Sequence, residues 1–159
     1  MLWIHVDDGA LVASLKELMN SISSKLDEAL KTKWDEGING LVGISITAMI
    51  DGFKFHHLDL ISKILEVDAS NITACSPLPA KCALESLEGG SMDKEYLRRR
   101  GILLYIEQGS RLDISYAASY LAQFSLGPTS SHWDELRHLI GYLWFTPNEG
   151  IVILKPPKH

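Results

Sequence analysis

Leu2-Trp3-Ile4-His5-Val6-Asp7-Asp8-Gly9-Ala10-Leu11-Val12 is the stretch that decides how this chain is read. Apolar, β-branched and aromatic residues flank an Asp-Asp-Gly triplet, and Asp-Gly between two apolar runs is a hairpin signal. The pattern predicts a strand, a tight turn bearing two carboxylates, and a returning strand. Adjacent carboxylates in an apolar setting are costly unless a cation or hydrogen-bond donors offset them. Two readings fit: an ordinary surface turn, or a turn whose Asp7 and Asp8 hold Mg²⁺ over a reacting phosphate.

Working outward, Leu15, Leu18, Met19, Ile22, Leu26, Ala29 and Leu30 recur at helical spacing. They predict an amphipathic helix over 14–31 that covers a sheet, with Ser14 as N-cap and Glu17 closing a capping box. Leu41 to Ile46 reads as one strand. Asp51-Gly52 is the next turn signal and Phe53-Lys54-Phe55 the return, giving a second hairpin over about 41–56. His56-His57 leads into a short helix with Leu58, Ile61, Ile64 and Leu65 on one side. Neighbouring histidines point in different directions on a strand or a helix, so they are not expected to share a metal.

Residues 67–92, with Ser76-Pro77-Leu78-Pro79 and Gly89-Gly90-Ser91, read as a connector. Three helices are expected beyond it. Asp93 to Ile106 carries Tyr96, Leu97, Leu104 and Tyr105 on one face. A second is opened by a Ser110–Asp113 capping box and turns Ile114, Ala117, Ala118, Leu121 and Phe124 inward. Gly127-Pro128 breaks the chain before a third, capped by Thr129 or Ser131 and carrying Trp133, Leu136, Ile140 and Leu143. A short strand over 151–154 follows. The fold class is therefore α+β: two β-hairpins and about five helices. The expected units are 1–66, a connector at 67–92, and a helical unit at 93–159.

Composition narrows the function. The 159 residues are 46% hydrophobic, enough for a core, and carry a net charge of −5. That balance argues against tight autonomous binding to nucleic acid, which draws on a basic surface. Cys75 and Cys82 fit no common zinc spacing and are read as free thiols. No apolar run approaches the length of a membrane span and no export signal is evident, so an intracellular location, cytoplasmic or nuclear, is expected. Arg98-Arg99-Arg100 is the one cationic run; it suits either phosphate contacts or a solvated helix face with acidic partners. Trp133 and Trp144 suit base stacking or core packing, and the helical spacing favours packing.

The order of motifs resembles the C-terminal part of the reverse transcriptase of copia-type retrotransposons. Val6-Asp7-Asp8 is similar to that family's Tyr-Val-Asp-Asp turn, and Leu41-Val42-Gly43-Ile44-Ser45-Ile46 to its Phe-Leu-Gly-Ile-Glu-Ile strand. Ser76-Pro77-Leu78-Pro79 looks like its Thr-Pro-Leu-Pro connector. Tyr96 to Tyr105 looks like its Tyr-Arg-x-x-x-Gly-x-Leu-x-Tyr helix, and Arg111-Leu112-Asp113-Ile114-Ser115-Tyr116-Ala117 like its Arg-Pro-Asp-Ile-x-x-Ala. Pro128-Thr129 with His132-Trp133 resembles its Pro-Thr-x-x-His-Trp. The likeness runs colinearly over about residues 2–153.

The resemblance implies the end of a polymerase palm, then thumb and connection-like segments. It implies that Asp7 and Asp8 belong to a three-aspartate set binding Mg²⁺ for RNA-directed DNA synthesis, and that the 41–56 hairpin lies where a primer grip does. It implies contacts to a nucleic-acid duplex from His5, Lys54, Arg98, Arg99 and Arg100. The departures set limits. The first aspartate and the nucleotide pocket would lie upstream of Met1, His5 stands where Tyr is usual, and Leu112 where Pro is usual. The expectation is a truncated, catalytically incomplete protein with weak duplex binding. The alternatives are a repurposed interaction or self-association scaffold, and a fragment of an active polymerase completed by upstream sequence. Palm strands that have lost their neighbours expose edges, which predicts a homodimer through the N-terminal strands or a refolded N-terminal segment.

Overall fold

The apolar periodicity of the second half builds the core. A computed structural model describes residues 1–35, 37–67, 73–85 and 91–156, with backbone only over 65–67. Gly89-Gly90 and the side chain of Leu65 lie outside the described residues. Helices α2 (Leu58–Val67), α3 (Lys94–Gly109), α4 (Ser115–Ala122) and α5 (Ser130–Phe145) pool their buried side chains in one cluster. It holds Ile61 and Ile64 of α2, Tyr96, Leu103 and Ile106 of α3, Leu121 of α4, and Leu136, Leu139, Ile140 and Leu143 of α5. Tyr96 brings its hydroxyl into this core and satisfies it by donating to the Leu121 carbonyl at 3.0 Å, as a buried phenol requires. Burial pushes the Tyr96 pKa up to about 12, against the opposing influence of Arg100.

The strands form two antiparallel sheets. β1 (Leu2–His5) pairs only with β2 (Asp8–Leu11), with His5 opposite Asp8. The second sheet runs β3 (Gly40–Leu41), β4 (Ile44–Ala48), β5 (Gly52–His56), β6 (Ile151–Leu154), in that order. Thus the α+β class, with five α-helices among the described residues and hairpins near both expected places, is what the chain adopts. The segments expected as 1–66 and 93–159 share the core through α2 and share a sheet through the β5–β6 pair, where Phe53 lies opposite Ile153. The described connector residues, 73–85, have no helix or strand. They are held down by a bond from Leu84 N–H to the Tyr120 hydroxyl (3.0 Å) and a contact of His138 Nε2 with the Ser76 carbonyl (3.0 Å).

Several local expectations are corrected. The first turn is Val6-Asp7, with Val6 at φ 55°; Asp8 and Gly9 already belong to β2. Leu41 to Ile46 is not one strand: Val42 (φ 50°) and Gly43 (φ 72°) turn it into a tight β3–β4 hairpin. Helix α1 (Lys16–Leu30) starts at Leu15 without a side-chain cap, so Ser14 does not cap it, and none of its residues is buried. It covers no sheet; Leu15, Leu18 and Leu30 face solvent. In α3, Leu103 and Ile106 point inward, whereas Tyr105 is exposed, and Asp93 caps the helix by accepting from Glu95 and Tyr96 N–H. Ser110 and Asp113 form no capping box; a 3-10 turn over Leu112–Ile114 precedes α4 without a side-chain cap. Trp144 is exposed rather than packed. Thr129 does open α5: its N–H donates to His132 Nδ1 at 2.8 Å.

Candidate functional site

The hairpin that carries the two aspartates is tied to the β3–β4 turn through Asp8. Asp8 Oδ2 accepts the Val42 N–H at 2.9 Å, and the Tyr105 hydroxyl donates to the Val42 carbonyl. The β3–β4 turn is thus gripped from both sides of one peptide residue, by β2 and by α3. Gly43 is needed there. Its φ is left-handed, and a Cβ would sit 3.0 Å from the Tyr105 oxygen.

Behind Tyr105 lies His57, whose ring it meets edge-on at 5.3 Å. His57 is 1% exposed. Its Nδ1 lies 2.6 Å from the Ser110 hydroxyl, while Nε2 has no hydrogen-bond partner among the described residues. The ring fits only because residue 109 is glycine: a Cβ would come within 2.3 Å of Cε1. Burial, reinforced by the neighbouring His56, lowers the His57 pKa and favours the neutral ring. His56 points elsewhere, to the Thr47 hydroxyl at 3.0 Å, as expected of adjacent histidines.

The other residues singled out from the sequence are distributed. Asp7 occupies the exposed turn, and His5 stacks on Trp3 at 5.9 Å. Lys54 sits half-buried in β5 between Thr47 and Val152 of the flanking strands. Arg98 and Arg99 both pair with Glu95, at 2.6 and 2.9 Å. Arg99 also lies over the Trp133 ring at 5.2 Å, with Arg137 over the same ring at 5.6 Å. Arg100 donates to the Ser125 hydroxyl at 2.9 Å. Arg98 to Arg100 occupy the first half of α3, about 8–10 Å along the helix axis from Tyr105 at 1.5 Å rise per residue.

Do the aspartates fit magnesium? One Asp8 oxygen is already occupied by the Val42 N–H. Among the described residues, no group of three or more His, Cys, Asp or Glu side chains could hold a metal ion. Two carboxylates, one of them engaged by the backbone, do not make a two-metal site, and no chemical step through Mg²⁺ follows from them.

Sequence reasoning missed the bonding of one buried charge, Arg111. The Arg111 side chain is fully buried. It grips Asp113 with two parallel bonds, Nε to Oδ1 at 2.9 Å and Nη2 to Oδ2 at 2.8 Å, and donates to the Thr146 carbonyl and hydroxyl at 2.8 and 2.7 Å. The Tyr142 hydroxyl completes the network on Asp113 at 2.9 Å. Burial alone would lower the Arg111 pKa, but the bonds and charge of Asp113 outweigh it and raise it; the same bonds lower that of Asp113. Beside it, Asp113, Tyr142, Glu149 and Ile151 line an open groove of about 320 Å³. The sequence cues were the Arg-x-Asp spacing and the family-like motif over Arg111 to Ala117, and neither says that the pair is buried. Cys75 is exposed and Cys82 half-buried, and they are not linked to each other.

Comparison with known proteins places the chain beside transposon proteins. It is 28% identical over 156 residues to the retrovirus-related Pol polyprotein from transposon RE1 of Arabidopsis thaliana, and 26% identical over 156 residues to that of transposon RE2. Each match covers 96% of this chain but 11% of the polyprotein, so the chain spans about a tenth of the length of these relatives. It is also 32% identical, over 56 residues, to the secreted RxLR effector protein 161 of Plasmopara viticola, a match covering 35% of this chain and 39% of that protein. No family model and no solved structure matches. The chain is related to a segment of retrotransposon Pol polyproteins. Among the described residues, no helix is long and apolar enough to cross a membrane.

Proposed function

We propose that this chain is the palm-end, thumb and connection-like part of a copia-type reverse transcriptase, catalytically incomplete as these 159 residues. The observation that carries the reading is the Asp7-Asp8 pair at the tip of a hairpin, at the head of a match to Pol polyproteins that runs through 96% of the chain. With two carboxylates and no third ligand beside them among the described residues, the purified chain is expected not to extend a primer with Mg²⁺ or Mn²⁺. Robust extension, lost in Asp7→Asn, would overturn this and favour an active RNA-directed DNA polymerase. Activity that appears only when an upstream segment is supplied would favour a polymerase fragment completed in trans.

Weak binding to a nucleic-acid duplex belongs to the same reading. The contacts would come from Arg98, Arg99, Arg100 and Lys54, with His5 near the primer end, and would go mostly to phosphates. Such binding is sequence-independent and falls steeply with salt, with a dissociation constant of roughly 10⁻⁴–10⁻⁶ M. Replacing the three arginines with alanine should abolish most of it and flatten the salt dependence. The expected location is cytoplasmic or nuclear.

A second reading is a repurposed interaction scaffold. It is favoured by the match to a secreted effector, a protein whose name points to a quite different role, and by the acidic net charge. Absence of duplex binding at about 50 mM salt, where phosphate contacts are strong, would select it.

A further inference from the structure

We infer that β1 is a self-pairing edge, and that two copies of this chain join through it into a four-stranded antiparallel sheet. The inference does not depend on any polymerase role. Among the described residues 1–45 none is buried, although Leu2, Trp3, Ile4, Val6, Leu15 and Leu18 are there. A lone two-stranded hairpin is marginal in water.

The backbone pattern says what the edge fits. Val12 N–H bonds the Met1 carbonyl at 2.8 Å, and the register sets Trp3 opposite Ala10 and His5 opposite Asp8. Met1, Trp3 and His5 therefore spend their backbone groups on Val12 and β2, and those of Leu2 and Ile4 point away from them. An antiparallel copy satisfies both at once: Leu2 faces the partner's Ile4, Ile4 faces the partner's Leu2, and Trp3 faces the partner's Trp3. Every outward donor then meets an outward acceptor, and the central pair is aromatic, a favourable cross-strand contact.

Charge permits the same pairing. β1 has no Lys, Asp or Glu to meet its own image, and residues 1–34 hold four lysines against five acidic residues, so most of the net −5 lies elsewhere. The opposite side of the hairpin is fastened to the β3–β4 turn by Asp8. The contact is isologous and closes as a dimer rather than a fibre. A further exposed apolar edge, β6, runs straight into Lys155 and Pro156, residues that guard edges.

The test is the solution mass of the full chain across concentration. At about 100 μM, enough to populate a weak interface, scattering should give twice 17.7 kDa, falling on dilution. Ile4→Pro removes an outward N–H without touching the β1–β2 bonds and should return the mass to 17.7 kDa with an unchanged circular dichroism spectrum. Ile153→Lys on β6 should leave the dimer intact. Hydrogen exchange at the Leu2 and Ile4 amides should slow at high concentration. A monomer at every concentration, a dimer that survives Ile4→Pro, or one that dissolves with Ile153→Lys would overturn the proposal.

Discussion

His57 and Arg111 show two ways of burying a titratable group. Arg111 keeps its charge because every guanidinium nitrogen has an oxygen within 3 Å. Leaving one member of a buried pair without the other typically costs about 3–5 kcal/mol, so Asp113→Ala should lower the urea-unfolding free energy by about 3 kcal/mol, with Asp113 partly exposed and the value at the low end. His57 keeps its place by staying neutral. Its folded pKa lies below the ordinary 6.5, so the unfolded chain takes up a proton first as the pH falls. The stability tied to the neutral ring is complete above 6.5 and drains away between 6.5 and the lowered folded value, at up to about 1.4 kcal/mol per pH unit for each such group. His132 is shifted the same way by burial and adds to the slope. Urea midpoints measured from pH 8 down to 5 should fall, and His57→Leu should flatten the profile even if its baseline is lower. Neither role was readable from sequence. A lone His-His pair carries no burial signal, and an Arg two residues before an Asp looks the same exposed or buried.

At the scale of elements, the periodic helices were legible and the turns were not. The stripes over α4 and α5 fixed which residues face inward, and Ile114, Ala117, Ala118, Leu121, Leu136, Ile140 and Leu143 all do. The β3–β4 turn was hidden because Leu-Val-Gly-Ile is apolar throughout and Val42 adopts a left-handed φ that β-branched residues seldom take. Asp8 and Tyr105, which hold Val42 from either side, are long-range partners that no local pattern announces. α1 was expected to cover a sheet because amphipathicity marks an apolar face, not what the face meets. Glycines separate the elements experimentally. Gly52 lies where β5 meets β6, and a Cβ there would fall 2.1 Å from the Ile153 carbonyl oxygen; Gly101, within α3, has open space around it. Gly52→Ala should therefore lower the melting temperature by several degrees through loss of the β5–β6 pairing, whereas Gly101→Ala should raise stability by about 0.5–1 kcal/mol, the usual gain from relieving a mid-helix glycine. Thermal scans of the two variants side by side check both signs.

For the whole molecule, stability is concentrated at one end of the sequence. Every buried residue among those described lies at or beyond Ile46, and the twelve-residue core cluster draws on α2, α3, the 3-10 turn, α4 and α5. Among the described residues, the Asp8–Val42 hydrogen bond ties the hairpin to the β3–β4 turn; it is exposed to water, and such a bond contributes only about 0.5–1.5 kcal/mol net. Opening of 1–34 should therefore be nearly independent of global unfolding, as expected where few apolar side chains are buried. In dilute solution, amide exchange over β1, β2 and α1 should run close to the rate of an unstructured chain. Amides of α3 and α5 around Leu103, Ile106, Leu139 and Ile140 should exchange only through global unfolding, and their protection should follow the urea-derived free energy. Asp8→Ala should change the first set slightly and leave the second set untouched. Uniform protection along the chain would mean that residues 1–34 fold cooperatively with the helical core, and that the Asp8–Val42 bond carries far more than one exposed hydrogen bond normally does.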